Sequence, residues 1–361
     1  MAEARELPQL QPFSDFIYDA EKIALGAYSP LESFMDEESY QSVLSNECLP
    51  NGLPWTIPII LAPREPPSGA KIGDEVALLD GQRQPFATML IEDQFTIDRR
   101  ALAERTYGTW DPLHPNVHDI ATEYGDRAFT GKLTCLQRLQ HPTGTYELSP
   151  KETRRSFKEK GWSQVVGYQC RNPPHTAHEY LQKTALETAE IDGLFVHPVV
   201  GRLKRGDYKP AVILEAYRAV VDQYYPKERV LLSSLSITMR YGGPKAALFL
   251  AIIRKNYGCT HYIVGRDQAG VGNRYDPYAC HRIFDQHDIG ITPMRYLECF
   301  YCRACGSMAT AKTCPHDLSS RVDTSQTKIR DAIRQGRPLP GEILRPEVVK
   351  ILSRGDVILD R

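Results

Sequence analysis

At 361 residues the chain exceeds the size of one compact core, so two or three domains are expected. Lysine and arginine total 44 against 45 acidic residues, a balance that excludes any general pull toward nucleic acid or a membrane surface. Any anion site must therefore be local. No 18-residue apolar stretch occurs, and the charged start Met1-Ala2-Glu3-Ala4-Arg5-Glu6 precedes no apolar run, which predicts a soluble, cytoplasmic protein. An odd count of nine cysteines without a leader argues against a disulfide scaffold.

Residues 1–160 read as a β-rich domain with many turns. Short apolar runs at Trp55–Leu61, Glu75–Leu79 and Pro85–Ile91, bounded by Gly, Pro and Asp, predict strands, with helices near 36–46 and 98–106. No residues here show catalytic spacing, and His114-Pro115 and Ser29-Pro30-Leu31 read as loop punctuation. From 161 the rhythm changes. Strands at 164–169, 194–200, 230–232 and 262–264 alternate with amphipathic helices at 175–190, 209–224 and 244–257, the last closed by Gly258 as a cap. Such apolar strands predict an α/β fold, a parallel sheet covered on both faces, over residues 161–290. Ligands on these sheets bind beyond the C-terminal strand ends. Residues 291–361 form a third, small domain carrying a cysteine cluster.

Every polar motif falls at such a strand end. The first strand opens into Gln169-Cys170-Arg171-Asn172-Pro173-Pro174-His175-Thr176-Ala177-His178-Glu179, a proline-stiffened loop running into a helix. Backbone N–H groups at a helix start have no partner within the helix and suit a phosphate or sulfate. Arg171 adds a fork of donors, and Gln169 and Asn172 add neutral ones. His175 and His178, three residues apart, share a helix face. A lone pair of that kind is commonly a satisfied core or surface pair; beside Arg171-Asn172 it points to phosphate, and a third close metal ligand is lacking. The other strand ends supply Gly201–Asp207, then Met239-Arg240-Tyr241-Gly242-Gly243-Pro244, then Gly265-Arg266-Asp267-Gln268-Ala269-Gly270. Arginines and glycines from four strand ends predict one crevice for a polyanionic ligand.

Cys299, Cys302, Cys305 and Cys314 crowd into 16 positions. Cys302-x-x-Cys305 with Cys314-x-His316 predicts a structural Zn2+ knuckle, and Cys299 is a rival fourth ligand because the Cys-x-His spacing is tight.

These motifs resemble the ATP sulfurylase (sulfate adenylyltransferase) family. Its loop Gln-x-Arg-Asn-Pro-x-His-x-x-His-Glu is matched from Gln169 to Glu179, and Met-Arg-Tyr-x-Gly-Pro from Met239 to Pro244. Gly-Arg-Asp-His-Ala-Gly is matched from Gly265 to Gly270, with Gln268 in place of the usual His. Further likeness lies in Gly26–Leu31, Asn51–Trp55, His197–Asp207 and Ser325-Gln326-Thr327-Lys328-Ile329-Arg330, where Gln326 departs from the family's Gly. The resemblance covers nearly the whole chain. It implies a β-rich, PUA-like N-terminal domain, a Rossmann-like nucleotidyl transferase sheet and a small zinc-bearing C-terminal domain of the prokaryotic type. No Gly-x-x-x-x-Gly-Lys-Ser/Thr loop occurs, so a fused kinase domain is not expected.

The implied reaction converts ATP and sulfate to adenosine 5'-phosphosulfate and pyrophosphate. By the same resemblance Gln169, Arg171 and Asn172 hold sulfate and the α-phosphate, with Cys170 contributing chiefly backbone. His175 and His178 stabilise the transition state and leaving phosphates. Gly265, Arg266, Asp267 and Gln268 line the nucleotide pocket with Arg240 and Leu297, and the Ala269 N–H meets sulfate. Mg2+ arrives with ATP, and relatives suggest a homodimer. Sulfate is already ionised and needs no general base, which accounts for a site rich in Arg, Asn, Gln and His. Two other readings are another nucleotidyl transferase, against which Ala177 stands where His-x-Gly-His has Gly, and a catalytically dead regulator, from which catalytic polar residues would be missing.

Overall fold

The computed structural model describes residues 3–67, 69–141, 143–272, 274–322 and 326–359. The chain divides into two compact units, one of Met1–His141, Ile237–Tyr257 and Asp267–Gly290, the other of Pro142–Ser236, Gly258–Arg266 and Ile291–Arg361. The boundary thus lies near 141 instead of 160, the C-terminal segment belongs to the second unit, and two stretches of the expected catalytic domain cluster with the first.

In the first unit, β1 (Gln9–Leu10), β2 (Leu61–Pro63), β3 (Glu75–Leu79), β4 (Pro85–Thr96) and β5 (Tyr124–Cys135) form a sheet ordered β1-β3-β4-β5-β2. All its pairings are antiparallel except β1 with β3. The strand expected from Trp55 shrinks to Leu61–Pro63: residues 55–60 are buried but unpaired as a ladder, and Pro58 has no N–H to donate. Helices α1 (Ser14–Ala24), α2 (Glu37–Asn46), α3 (Arg99–Tyr107) and α4 (Pro115–Thr122) accompany the sheet. Their starts are legible chemistry. Asp36 accepts from the Ser39 N–H, Asp98 from those of Arg100 and Ala101, and His114 from that of Val117, with Pro115 at the first helical position.

The second unit begins with α5 (Pro150–Glu159), closed by a Ser149–Glu152 capping box. Then β6 (Val165–Tyr168), α6 (Thr176–Leu186), β7 (Gly193–Val196), α7 (Pro210–Tyr224) and β8 (Val230–Leu232) alternate. Helix α8 (Pro244–Asn256) follows, and with α9 (Ala279–Gln286) it belongs to the first unit, where Phe249 of α8 meets the rings of Tyr28 and Trp55. Strands β9 (His261–Val264) and β10 (Thr292–Arg295) complete a five-stranded sheet ordered β10-β9-β6-β7-β8, every pair parallel. The series therefore runs one strand past Val264. Thr292-Pro293-Met294-Arg295 escapes an apolar-run criterion because an edge strand is half exposed. Residues of β6 and β7 are buried throughout, as a sheet covered on both faces requires.

That strand order reverses direction between β6 and β9, the switch point at which open α/β sheets bind their ligands. A small antiparallel sheet, β12 (Ser307–Thr310), β11 (Cys299–Cys302) and β13 (Arg321–Val322), precedes α10 (Gln326–Arg334) and α11 (Pro346–Leu352). One close packing sets the start of β7. A Cβ added to Gly193 would lie 2.3 Å from the buried Trp162 ring. Gly193→Ala is expected to lower stability by about 1–3 kcal/mol through overpacking, read as a lower denaturant midpoint.

Candidate active site

The loop from Gln169 to His178 leaves the C-terminal end of β6, at the switch point. Gln169, Cys170 and His175 are buried, while Arg171 and Asn172 are half-buried. His175 is not the first residue of α6 but its N-cap. Its Nδ1 accepts from the His178 N–H at 3.4 Å, and the Nδ1 of His178 accepts from the His175 N–H at 3.4 Å. The two rings stack, with centroids 3.7 Å apart.

This reciprocal cap settles the protonation chemistry. A ring nitrogen that accepts from an amide carries no proton, so each neutral imidazole keeps its hydrogen on Nε2 and presents it as a donor. Burial, then the neighbouring His178, holds His175 well below the ordinary histidine value, and burial holds His178 down to about 4. Both rings are neutral near pH 7. His178 Nε2 lies 3.8 Å from Cys170 Sγ, which also receives the Asn172 N–H at 3.3 Å.

The helix-start amides expected to hold an anion are largely engaged. The Thr176 N–H donates to the Ile343 carbonyl at 2.9 Å, and the His178 N–H is taken by the cap. The donors this loop leaves available for an anion are thus mainly side chains. Arg171 Nε stands 3.7 Å from Asp207, whose carboxylate is wholly buried and also meets Lys204 at 3.0 Å and Arg330 at 2.8 Å. Asn172 Oδ1 is buried with no hydrogen-bond partner among the described residues, an expensive arrangement unless a ligand or water engages the amide. At the end of β9, Gly265 is followed by an exposed Arg266 whose Nη1 lies 3.5 Å from Glu298, and Leu297 beside it is half-buried.

Sequence reasoning gave Asp207, Lys204 and Arg330 no role. The available signal was an acid ending the basic segment Arg202-Leu203-Lys204-Arg205-Gly206-Asp207. Of the Ser325–Arg330 motif, Ser325 lies outside the described residues, and Gln326 Nε2 donates to the Pro173 carbonyl at 3.3 Å.

The remaining site candidates belong to the first unit. Arg240 is 5% exposed and bound to Asp19 at 2.6 Å and Asp15 at 3.3 Å. Those carboxylates also accept from Thr238 and Tyr28, and burial pushes Asp19 up to about 6 against the pull of Arg240. Two buried carboxylates thus already face the Arg240 guanidinium, the side chain from which the sequence leads one to expect a nucleotide contact. Gly243, at the start of α8, has φ +54 and no room for a side chain, since a Cβ would sit 2.5 Å from the Tyr275 ring. Its N–H donates to the Ala269 carbonyl at 3.1 Å. Asp267 and Ala269 hold positive φ of 47° and 59°. Residues other than glycine rarely do so, and the turn is held by the Asp267 N–H donating to the Pro277 carbonyl at 2.7 Å and the Gly270 N–H donating to the Asp267 carbonyl at 3.4 Å. The Gln268 carbonyl accepts from the Cys280 thiol at 3.0 Å.

In the second unit the cysteine cluster gathers four donors. Sγ of Cys302, Cys305 and Cys314 lie 3.5, 3.3 and 3.7 Å from His316 Nδ1, and Cys305 and Cys314 are 3.8 Å apart. Ligands at zinc bond lengths on a tetrahedron would be about 3.4–3.8 Å apart, so this set fits a zinc ion. Cys299 is excluded as the fourth ligand: its thiol faces the Ala177 carbonyl of α6 at 3.6 Å.

The ATP-sulfurylase family model matches residues 144–355, and a PUA-like domain model matches residues 1–138. The chain belongs to the ATP-sulfurylase family. It is 44% identical over 359 residues to the sulfate adenylyltransferase of Symbiobacterium thermophilum, covering 98% of this chain and 91% of that one. To the sulfate adenylyltransferase of Aeropyrum pernix it is 45% identical over 360 residues, covering 98% and 93%. Among solved structures, the hexameric APS kinase from Thiobacillus denitrificans shares the fold, with a TM-score of 0.75 at 23% identity. This chain aligns over 98% of its own length and 64% of that chain. The family's fold, a PUA-like unit and a nucleotidyl transferase parallel sheet, is the one described above. No helix among the described residues is long and apolar enough to cross a membrane.

The buried histidines make stability pH-dependent with a definite sign. Folded, they stay neutral; unfolded, they take up protons near the ordinary value of 6.5. The unfolded chain then binds more protons as pH falls, so stability drops between about 6.5 and 4, with no slope from this pair above that window. His178→Asn, which keeps a capping oxygen, is expected to remove up to about 1.4 kcal/mol per pH unit of that slope in denaturant unfolding curves.

Proposed function

We propose that this chain is a sulfate adenylyltransferase that joins sulfate to the adenylyl group of ATP, reversibly. A sulfate oxygen attacks the α-phosphorus, the bond to the β-phosphate bridging oxygen breaks, and pyrophosphate leaves with that electron pair. The observation that carries the reading is the Gln169–His178 loop: arginine, asparagine and glutamine side chains and two neutral Nε2–H donors at the switch point of a parallel sheet, with no general base among them. Sulfate is a dianion at neutral pH and needs no deprotonation, so alignment and charge stabilisation are what the reaction requires.

In this reading Gln169, Arg171 and Asn172 hold sulfate and the α-phosphate. His175 and His178 donate to oxygens that gain charge in the transition state; a neutral donor stabilises such charge without the cost of burying a cation. Gly265, Arg266, Asp267, Gln268 and Leu297 serve the nucleotide, and Ala269 offers its N–H to sulfate. Gln268 donates hydrogen bonds but cannot become cationic. Mg2+ bound with ATP supplies charge neutralisation on the phosphates, and no dedicated protein cage is assigned to it. Cys302, Cys305, Cys314 and His316 would hold a structural Zn2+. A cytoplasmic, homodimeric protein completes the reading: an odd count of nine cysteines suits a reducing compartment, and sedimentation is the check on assembly.

Arg171→Ala is expected to lower pyrophosphate-dependent ATP synthesis from adenosine 5'-phosphosulfate by about a hundredfold or more, the usual cost of one preorganised donor. Retention of the parental rate would remove Arg171 from the site. For the metal, one zinc per chain is expected by elemental analysis. Cys305→Ser should lose it, with a lower unfolding midpoint, because binding energy on the order of 10 kcal/mol orders such segments.

A further inference from the structure

We propose that Asp207 is a positioning residue for adenylyl transfer, a buried carboxylate that orients Arg171 toward its anionic substrate. The proposal rests on the reading that Arg171 holds sulfate and the α-phosphate. Two motifs in the chain carry no role in that reading, the Gly201–Asp207 segment and the Thr327–Arg330 segment, and the fold joins them at this one carboxylate.

Asp207 is 0% exposed. Its position is held twice over. The backbone is fixed by the Leu359 N–H donating to the Asp207 carbonyl at 2.8 Å and by its own N–H donating to the Lys204 carbonyl at 3.1 Å. The carboxylate is fixed by Lys204 Nζ at 3.0 Å and by Arg330 Nη1 at 2.8 Å, and Arg330 Nη1 is itself within 3.2 Å of the Gly206 carbonyl. Arg171 Nε faces that anchored anion from the loop at 3.7 Å. A guanidinium is a planar fork, so a charge placed at its Nε edge sets the plane and directs the terminal nitrogens, the pair suited to bidentate contact with a tetrahedral oxyanion. A flexible arginine would bear the cost of ordering at each binding event; one oriented beforehand does not. Lys204 and Arg330 hold the carboxylate in place, so they act on Arg171 through Asp207.

A double-mutant cycle on the full-length protein tests this. Asp207→Asn, Arg171→Ala and the pair are compared by luminescent detection of ATP formed from adenosine 5'-phosphosulfate and pyrophosphate, and by kcat and KM for sulfate in the forward direction. Rates are normalised to folded protein from unfolding curves. Asp207→Asn is expected to lower kcat/KM about 10- to 100-fold, the range seen when the outer partner of a metal ligand is removed. In the Arg171→Ala background it should cost almost nothing more. Asp207→Glu should recover part of the loss. Equal cost in both backgrounds would mean that Asp207 acts independently of Arg171 and would overturn the proposal. An Arg171→Ala protein of parental activity overturns instead the reading on which it rests, and the proposal with it. Should Asp207→Asn fail to fold, Arg330→Gln releases the carboxylate from its other side and enters the same cycle with the same two outcomes.

Discussion

The reciprocal cap at the start of α6 is the interaction around which the candidate site is built. A helix start leaves amides without partners, and here the ring nitrogens of His175 and His178 satisfy one another's backbone. That single exchange has three consequences. It ends the Gln169–Pro174 loop at a defined point, it stacks the two rings, and it forces the neutral Nε2–H tautomer on both. Burial reinforces the last, since a buried imidazolium without a counterion is costly.

A site built this way differs from the one that positive charge alone would make. Two cationic histidines stacked 3.7 Å apart would repel each other, and the loop could not close. Neutral rings avoid that repulsion, and each still presents an Nε2–H donor. Cationic character falls instead to Arg171, which has a carboxylate partner, and to the exposed Arg266. The outer side of the cap is supported by segments distant in sequence: the Ile343 carbonyl on Thr176, Met308 Sδ near the Thr176 hydroxyl at 3.4 Å, the Cys299 thiol on Ala177 and Gln326 on Pro173. Cys299 opens β11, which ends at Cys302, and Met308 lies on the paired β12, so the cysteine cluster and the start of α6 share one packing.

The alternation of apolar runs and helical periods was enough to name a parallel α/β sheet, because strands buried on both faces must be apolar throughout. It missed β10, whose residues at the sheet edge are half exposed and include a proline. It also drew the domain boundary late and assigned α8 to the sheet's own unit, since periodicity reports that a helix is amphipathic but not which partner covers its apolar face. Arg240 has surroundings that its motif did not foretell. Its motif marked it for the nucleotide, but its partners Asp15 and Asp19 lie more than two hundred positions away and follow no spacing rule.

What the sequence determined by itself was local and compositional: the loop Gln169–His178 at a strand-to-helix junction, the cysteine spacing, the scarcity of bases and the family's motifs. These depend on residue type and on neighbours a few positions apart. Only tertiary structure decided which charges are spent and which remain for a ligand. Asp207 gathers Lys204, Arg330 and Arg171, while Asp15 and Asp19 consume Arg240. His316, not Cys299, completes the cysteine cluster. The reason is the same throughout, because Coulomb and coordination energies fall off over a few ångströms of space, and no distance along the chain encodes that separation.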